Sequence, residues 1–312
     1  MLKLKRLSQQ PILTPIRAHA WEREAVFNAG ALYENGLFYL FYRAADNRFR
    51  LDRPEPRPEE KFVSSIGLAV SRDGVNFSRF DRPVFTPATE QEAWGVEDPR
   101  ITRIGDTYYM LYTAFGGRDW YDYRPAVAWS RNLIDWQGRE ILLDEPNKDV
   151  ALFPEKVGGR YVLLHRREPH IWIAFSEDLK HWTDHQVLME VVPGGWQAKK
   201  IGAAGPPHRT EAGWVLFYHA VDADHVYRLG VALLDLADPT RVLARYPLPI
   251  LEPETDWERY GLVPNVVFSC GSVEKDGAYY VYYGGGDCCV GVAAVDRSTL
   301  LAHLSIRRPC RT

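Results

Sequence analysis

The chain has no apolar run of about 18 residues, so nothing in it reads as a membrane-spanning helix. Neither sign of charge is in excess: 38 Lys and Arg stand against 41 Asp and Glu, a net −3. That balance leaves no basic field for nucleic acid. The opening MLKLKRLSQQPILTP is charged and has no apolar h-region, so a secretory signal is not expected and a reducing, cytoplasmic setting is. Cys270, Cys288, Cys289 and Cys310 lack zinc-site spacing and are expected to be thiols, not a vicinal disulfide at 288–289. His165, His170, His181 and His185 fall too irregularly for a zinc helix, and no metal is expected. A Gly-x-Ser-x-Gly elbow and a nucleotide phosphate loop are also missing. GGGD (284–287) follows a strand with no helix after it, which excludes a dinucleotide fingerprint.

Long helical stripes at i, i+3, i+4, i+7 do not occur, nor does a Gly/Ser linker. One domain spanning 1–312 is therefore expected, with residues 1–20 as an N-terminal arm open to contact in a homo-oligomer. What the chain has in quantity is aromatic residues, 13% of the total, including 10 Trp and 17 Tyr. Such residues favour strands and also make flat platforms for sugar rings.

The aromatics recur in order. LFYLFYRA (37–44), TYYMLYTA (107–114), RYVLLHRR (160–167), GWVLFYHA (213–220) and AYYVYYGG (278–285) each follow a polar turn. A second run follows each: IGLAVSRDGVNF, AVAWSRNLIDW, IWIAFSEDLKHW, LGVALLDLADP and VGVAAVDRSTL. The copies lie 70, 53, 53 and 65 residues apart. Four-stranded units at such spacing predict an all-β fold, a five-bladed β-propeller. Ser71–Phe77, Ser130–Trp136 and Ser176–Trp182 share a Ser-x-Asp/Asn pattern that predicts structural turns.

In a propeller, ligands bind at one end of the central channel, so equivalent points of several repeats are the candidates. Asp98 lies between Glu97 and Pro99, and Pro99 predicts an extended backbone there. A carboxylate at a channel mouth among aromatics has the surroundings that raise an acid's pKa. The alternative is an Asp-Pro turn bonded to Arg100. Arg43, Arg166, Arg167 and His219 end copies of one repeated strand, and Lys148, Lys199 and Lys200 precede inner strands. Converging cations call for an anion, and phosphate suits Arg forks and Lys point charges. Salt bridges to Glu155, Asp149 or Glu168 are the other reading.

The segments AVFNAGA, GVEDPRIT, NKDVALFPEKVGGRYVLLHRR, KKIGAAGPP, WVLFYHAV and VPNVVFSCG through YYVYYGGGD run from about residue 21 to 298. In that order they resemble glycoside hydrolase family 130, the mannoside phosphorylases and related mannosidases. The resemblance implies inverting phosphorolysis of β-1,2- or β-1,4-linked manno-oligosaccharides. Inorganic phosphate is then the co-substrate, without a cofactor, and α-mannose 1-phosphate the product. It implies Asp98 as proton donor, relayed through the mannose 3-hydroxyl, with phosphate on Arg166, Lys200, His219, Lys148 and Tyr227. Asn28, Arg43 and Asp287 are implied as mannose contacts. Lys148 stands where the family also carries Arg, and a Lys lacks the bidentate fork. An inverting hydrolase would instead need a base for water, with Asp149 and Glu155 the nearest residues. A non-catalytic glycan-binding propeller is the third reading. Trp120, Tyr121 and Tyr123, with the proline-rich 50–61 loop, are the acceptor-side candidates.

Overall fold

A computed structural model of the protein describes residues 1–49 and 55–305. The repeated runs form five antiparallel units. Blade I comprises Ala25–Glu34, Leu37–Ala45, Ser64–Ser71 and Ser78–Arg79. Blade II comprises Gly95–Ile104, Thr107–Phe115, Tyr123–Ser130 and Gln137–Ile141. These two sheets are joined by one parallel bridge, Ser64 to Gly95. Blade III runs Lys148–Leu152, Tyr161–Arg167, His170–Ser176 and Thr183–Met189. Blade IV runs Lys200–Ala203 with His208–Thr210, then Gly213–Val221, Tyr227–Leu234 and Val242–Arg245.

Blade V has three consecutive strands, Val267–Lys275, Ala278–Gly285 and Cys289–Asp296. Its fourth is Lys5–Arg6, which pairs with Ala294 and Ala293. The N-terminal segment, expected as an arm, is thus built into the ring, and Leu2 and Leu4 are buried in its core. The inner strand of blade I packs on those of blades II and V, II on III, and III on IV, while V meets IV through IV's later strands. The chain is a β-propeller closed by pairing its two ends.

Local chemistry explains the repeat. Asn35-Gly36 and Asp276-Gly277 have positive φ and make tight hairpin turns. The Ser-x-Asp/Asn turns are structural, as expected. Ser71 Oγ accepts from the N–H groups of Asp73 and Gly74, and Asp73 Oδ1 accepts from those of Val75 and Asn76. Ser130/Asn132 and Ser176/Asp178 repeat the arrangement.

A second recurring device was not anticipated. The sixth residue of the long repeated strand is Tyr42, Tyr112 or Tyr283 in blades I, II and V. Each hydroxyl donates to a buried carboxylate just before the inner strand: Glu22 at 2.9 Å, Glu92 at 2.6 Å and Glu258 at 2.8 Å. Each carboxylate also takes an arginine of the outermost strand: Arg79 at 3.0 Å, Arg139 at 2.8 Å and Arg6 at 2.8 Å. Blade IV substitutes Tyr218, Gln197 and Arg245. Blade III substitutes His165, bonded to Asn147 and His185 at 3.0 Å each. The rings of Tyr42, Tyr218 and Tyr283 fit because Gly67, Gly230 and Gly291 lie opposite, where a Cβ would come within 2.3–2.6 Å of the ring, whereas Tyr112 has Ala126 opposite.

The VGVAAVDRSTL run departs from a strand at Asp296 and continues as the helix Arg297–Ser305, with Leu300, Leu301 and Leu304 buried. The helix is too short for a readable periodicity. Among the described residues no helix is long and apolar enough to cross a membrane. Cys288 and Cys289 are free thiols with sulfurs 3.6 Å apart, and Cys310 lies outside the described residues.

Candidate active site

The inner strands are not regular. Their pairing with the second strand slips between Phe27 and Gly30, Glu97 and Arg100, Lys148 and Ala151, and Phe268 and Gly271. In blades I to III the slipped residue has positive φ: Asn28 (48°), Asp98 (53°) and Asp149 (56°). Asn and Asp tolerate this region better than other non-glycine residues, and a bulge re-aims a side chain. Pro99 keeps Asp98 out of the right-handed helical region, but the backbone takes φ 53° where an extended one was expected. The bulge, which no local sequence rule signals, overrides the simple pre-proline preference.

These bulges open on a cavity of about 290 Å³ at the channel mouth, lined by Asn28, Arg43, Asp98, Lys148, Arg166, Lys200, Tyr227 and Asp287. Eight of the nine site residues that the family resemblance implies therefore share one cavity. The ninth, His219, is fully buried behind its wall, with Nε2 3.1 Å from Asp149 Oδ2.

One side of the cavity is built around carboxylates. Asp98 Oδ1 accepts from Asn28 Nδ2 at 2.9 Å and from Arg43 at 3.4 Å. Arg43 also bonds Glu97 at 2.8 Å and Ser64 at 3.0 Å, and stacks over Phe27. The Asp98 carbonyl receives Arg100 at 2.9 Å, so the backbone is fixed by the arginine while the side chain stays directed at the cavity. Asp287 is pushed up to about 7 by burial, with Asp98 and Glu97 adding repulsion that Arg43 only partly offsets.

The other side is cationic. Lys148, Arg166 and Lys200 come from blades III and IV; Lys148 lies 3.5 Å from Glu97 and so links the two halves. Burial, then Arg166, lowers the Lys200 ammonium to about 8. Burial lowers the pKa of His219 although Asp149 opposes it, so a neutral imidazole faces Asp149 at neutral pH.

Of the three suggested counter-ions, Asp149 and Glu168 meet the site cations and Glu155 does not. Asp149 bonds Arg100 at 3.0 Å and Arg166 at 2.5 Å as well as His219. Burial alone would raise its pKa, but the guanidinium groups of Arg166 and Arg100 hold it well below the usual carboxylate range. Glu168 lies 3.2 Å from Arg166 and 3.7 Å from Lys200. Glu155 is half-exposed on Arg209 and does not line the cavity.

Two nominated cations are absent from it. Arg167 follows Arg166 on one strand, so it points to the other face, where it pairs with Glu145 at 2.7 Å. Lys199 points outward and bonds His225. On the aromatic side, Trp120 and Tyr123 line the cavity with Phe49, Phe62 and Phe115, whereas Tyr121 is 71% exposed. Of the 50–61 loop, residues 55–61 are described and largely exposed, and 50–54 lie outside the described residues. The bond between Arg100 and the Asp-Pro segment was named from sequence and forms at the Asp98 carbonyl, whereas its contact with Asp149 and the organising role of Glu97 were not read. Their signal was the charged run Glu-Asp-Pro-Arg, two carboxylates followed by an arginine, on one strand.

The arrangement couples a hydrogen-bonded carboxylate to an anion-attracting wall beside aromatic faces, which is the chemistry of a sugar and an oxyanion meeting. The glycoside hydrolase family 130 model, described as β-1,4-mannooligosaccharide phosphorylase, matches residues 3–305. The chain belongs to this family, and is a glycoside phosphorylase of it. A β-1,2-mannobiose phosphorylase from Thermoanaerobacter sp. is 60% identical, over 95% of this chain and 98% of the relative. A 1,2-β-oligomannan phosphorylase from the same organism is 54% identical over the same shares. The solved β-1,2-mannobiose phosphorylase of Listeria innocua, in complex with β-1,2-mannobiose, superposes with a TM-score of 0.86 at 30% identity, covering 97% of this chain and 99% of that one.

Proposed function

We propose that this chain cleaves β-1,2-linked manno-oligosaccharides with inorganic phosphate and inverts the anomeric centre to release α-mannose 1-phosphate. The five blades act as one catalytic domain in this reading. The observation that carries it is the sharing of one cavity by Asp98 and by three cations, Lys148, Arg166 and Lys200.

Phosphate enters on the cationic side, where Arg166 offers a fork and Lys200 a point charge, with Tyr227 beside them. Mannose is held by Asn28, Arg43 and Asp287, and Asp98 supplies the proton that the departing oxygen needs as phosphate attacks the anomeric carbon. His219 acts from behind by fixing Asp149, which in turn orients Arg166. The site residues therefore divide into a proton side and an anion side, joined by Lys148.

Hydrolysis has less support. A base for water needs a carboxylate that gains a proton readily, and Asp149 is held ionised by two buried arginines, Arg100 and Arg166. Glu155 faces Arg209 away from the cavity. The β-1,2 assignment rests on the two full-length relatives at 60% and 54% identity. It departs from the family description, which carries the β-1,4 linkage of some members.

With phosphate present, β-1,2-mannobiose is expected to yield mannose 1-phosphate faster than β-1,4-mannobiose does. A preference for the β-1,4 disaccharide would contradict the linkage. Asp98→Asn is expected to lower kcat by about 10²–10⁴-fold while mannobiose still binds, because only the proton source is removed. Turnover near the wild-type rate in that variant would remove Asp98 from the mechanism.

A further inference from the structure

A larger cavity, about 680 Å³, lies between blades II and III. It is remote from the active site. Phe115, at the end of the strand Thr107–Phe115, lines the active-site cavity, whereas Thr107 and Tyr109, at its start, line this one. The two ends of that strand, Thr107 and Phe115, are about 26 Å apart at the usual strand rise.

Its origin can be read from the repeat. The aromatic that closes each Ser-x-Asp/Asn turn packs on the fifth residue of the long strand in the preceding blade. Phe77 meets Tyr282 with ring centres at 5.8 Å, and Trp136 meets Phe41 at 5.5 Å. At the II–III junction Trp182 has Leu111 in its cluster in place of a ring. The missing ring leaves a recess that the other two junctions fill.

The recess has the chemistry of a sugar site. Tyr109, Trp129 and Trp182 supply aromatic faces, and Trp129 is held flat against the outer strand, since a Cβ on Gly138 would come within 2.0 Å of its ring. The indole N–H of Trp182 has no protein hydrogen-bond partner. Around these rings stand Asn132, Gln137 and Asp135, and Lys180 reaches Glu140 across the two blades at 3.6 Å. Charges of both signs are interleaved, so neither an anion nor a cation is favoured, and a neutral polyhydroxylated ligand is. The volume falls within the roughly 300–1,000 Å³ of small-molecule sites.

We propose that this recess is a second, non-catalytic binding site for β-linked manno-oligosaccharide. Its ligand class rests on the reading of the active site given above. The site holds a longer chain on the face opposite the catalytic cavity and raises the local concentration of substrate ends.

The test is calorimetric titration of the whole chain with β-1,2-mannotriose in phosphate-free buffer, where the ligand stays intact. Wild type is expected to show two binding events. Leu111→Phe, which restores the ring found at the other junctions, is expected to show one, with phosphorolysis of mannobiose unchanged. Gln137→Ala, at an exposed residue of the cavity lining, provides a second variant should the core substitution disturb folding. It is expected to weaken only the second event, by up to about tenfold. A single event in wild type, or two events that both variants leave intact, overturns the proposal. So does a dimer by light scattering that Leu111→Phe converts to a monomer, since a second copy would then be the occupant. Loss of mannobiose phosphorolysis in wild type would overturn the active-site reading instead, and the two failures are distinguishable.

Discussion

Lys200 and Asp287 are both half-buried in the active-site cavity, and desolvation moves each toward neutrality from its own side. Lys200 titrates at about 8. In the free enzyme it therefore loses its charge as pH rises through that value, and the KM for phosphate is expected to climb above pH 8. Lys200→Arg, which stays protonated throughout, is expected to move that climb to higher pH. An identical pH dependence in both proteins would mean that Lys200 does not meet phosphate. Asp287, at about 7, lies above its ordinary value near 3.8. Between those values the unfolded chain releases a proton that the folded chain retains, so stability falls as pH rises across the window. Asp287→Asn is expected to flatten this slope in thermal melts from pH 4 to 7, and an unchanged slope would contradict the assignment.

At the scale of the blade, the Tyr–Glu–Arg clamps tie the approach to each inner strand to its outer edge. In blade V the arginine is Arg6, with its side chain 7% exposed against a fully buried Glu258. Burial would raise the Glu258 pKa, but Arg6 and backbone N–H groups hold it low, so the carboxylate stays charged at neutral pH. Arg6→Ala leaves that charge uncompensated and is expected to destabilise the protein by about 3–5 kcal/mol, read as a lowered Tm. A loss under 1 kcal/mol would show that the terminal strand closes the ring by backbone pairing alone. The five repeated hairpins were legible because strand period and turn residues are local signals. The clamps were not, because Arg6 and Glu258 are 252 residues apart and no local pattern announces their pairing. The same division applies to the site. Asp98, Arg166 and Lys200 stand out by charge beside strand ends, while the positive φ at Asp98 and the triple engagement of Asp149 arise only when neighbouring blades meet.

For the whole molecule, the ring places one residue set at a common point from blades distant in sequence. Asn28 and Arg43 come from blade I, Asp98 from II, Lys148 and Arg166 from III, Lys200 and Tyr227 from IV, and Asp287 from V. No single blade could hold an acid and an anion site together without the repulsion or neutralisation that nearby charges bring. The opposite face, with its recess between blades II and III, leaves room for substrate contact that does not compete with turnover. The central claim is that the cationic wall delivers phosphate as the nucleophile. It is tested most directly by following β-1,2-mannobiose with and without phosphate by phosphorus and proton NMR. The account predicts α-mannose 1-phosphate and one equivalent of mannose with phosphate, and intact disaccharide without it. Free mannose released at equal rates in both buffers would contradict it and would identify a hydrolase.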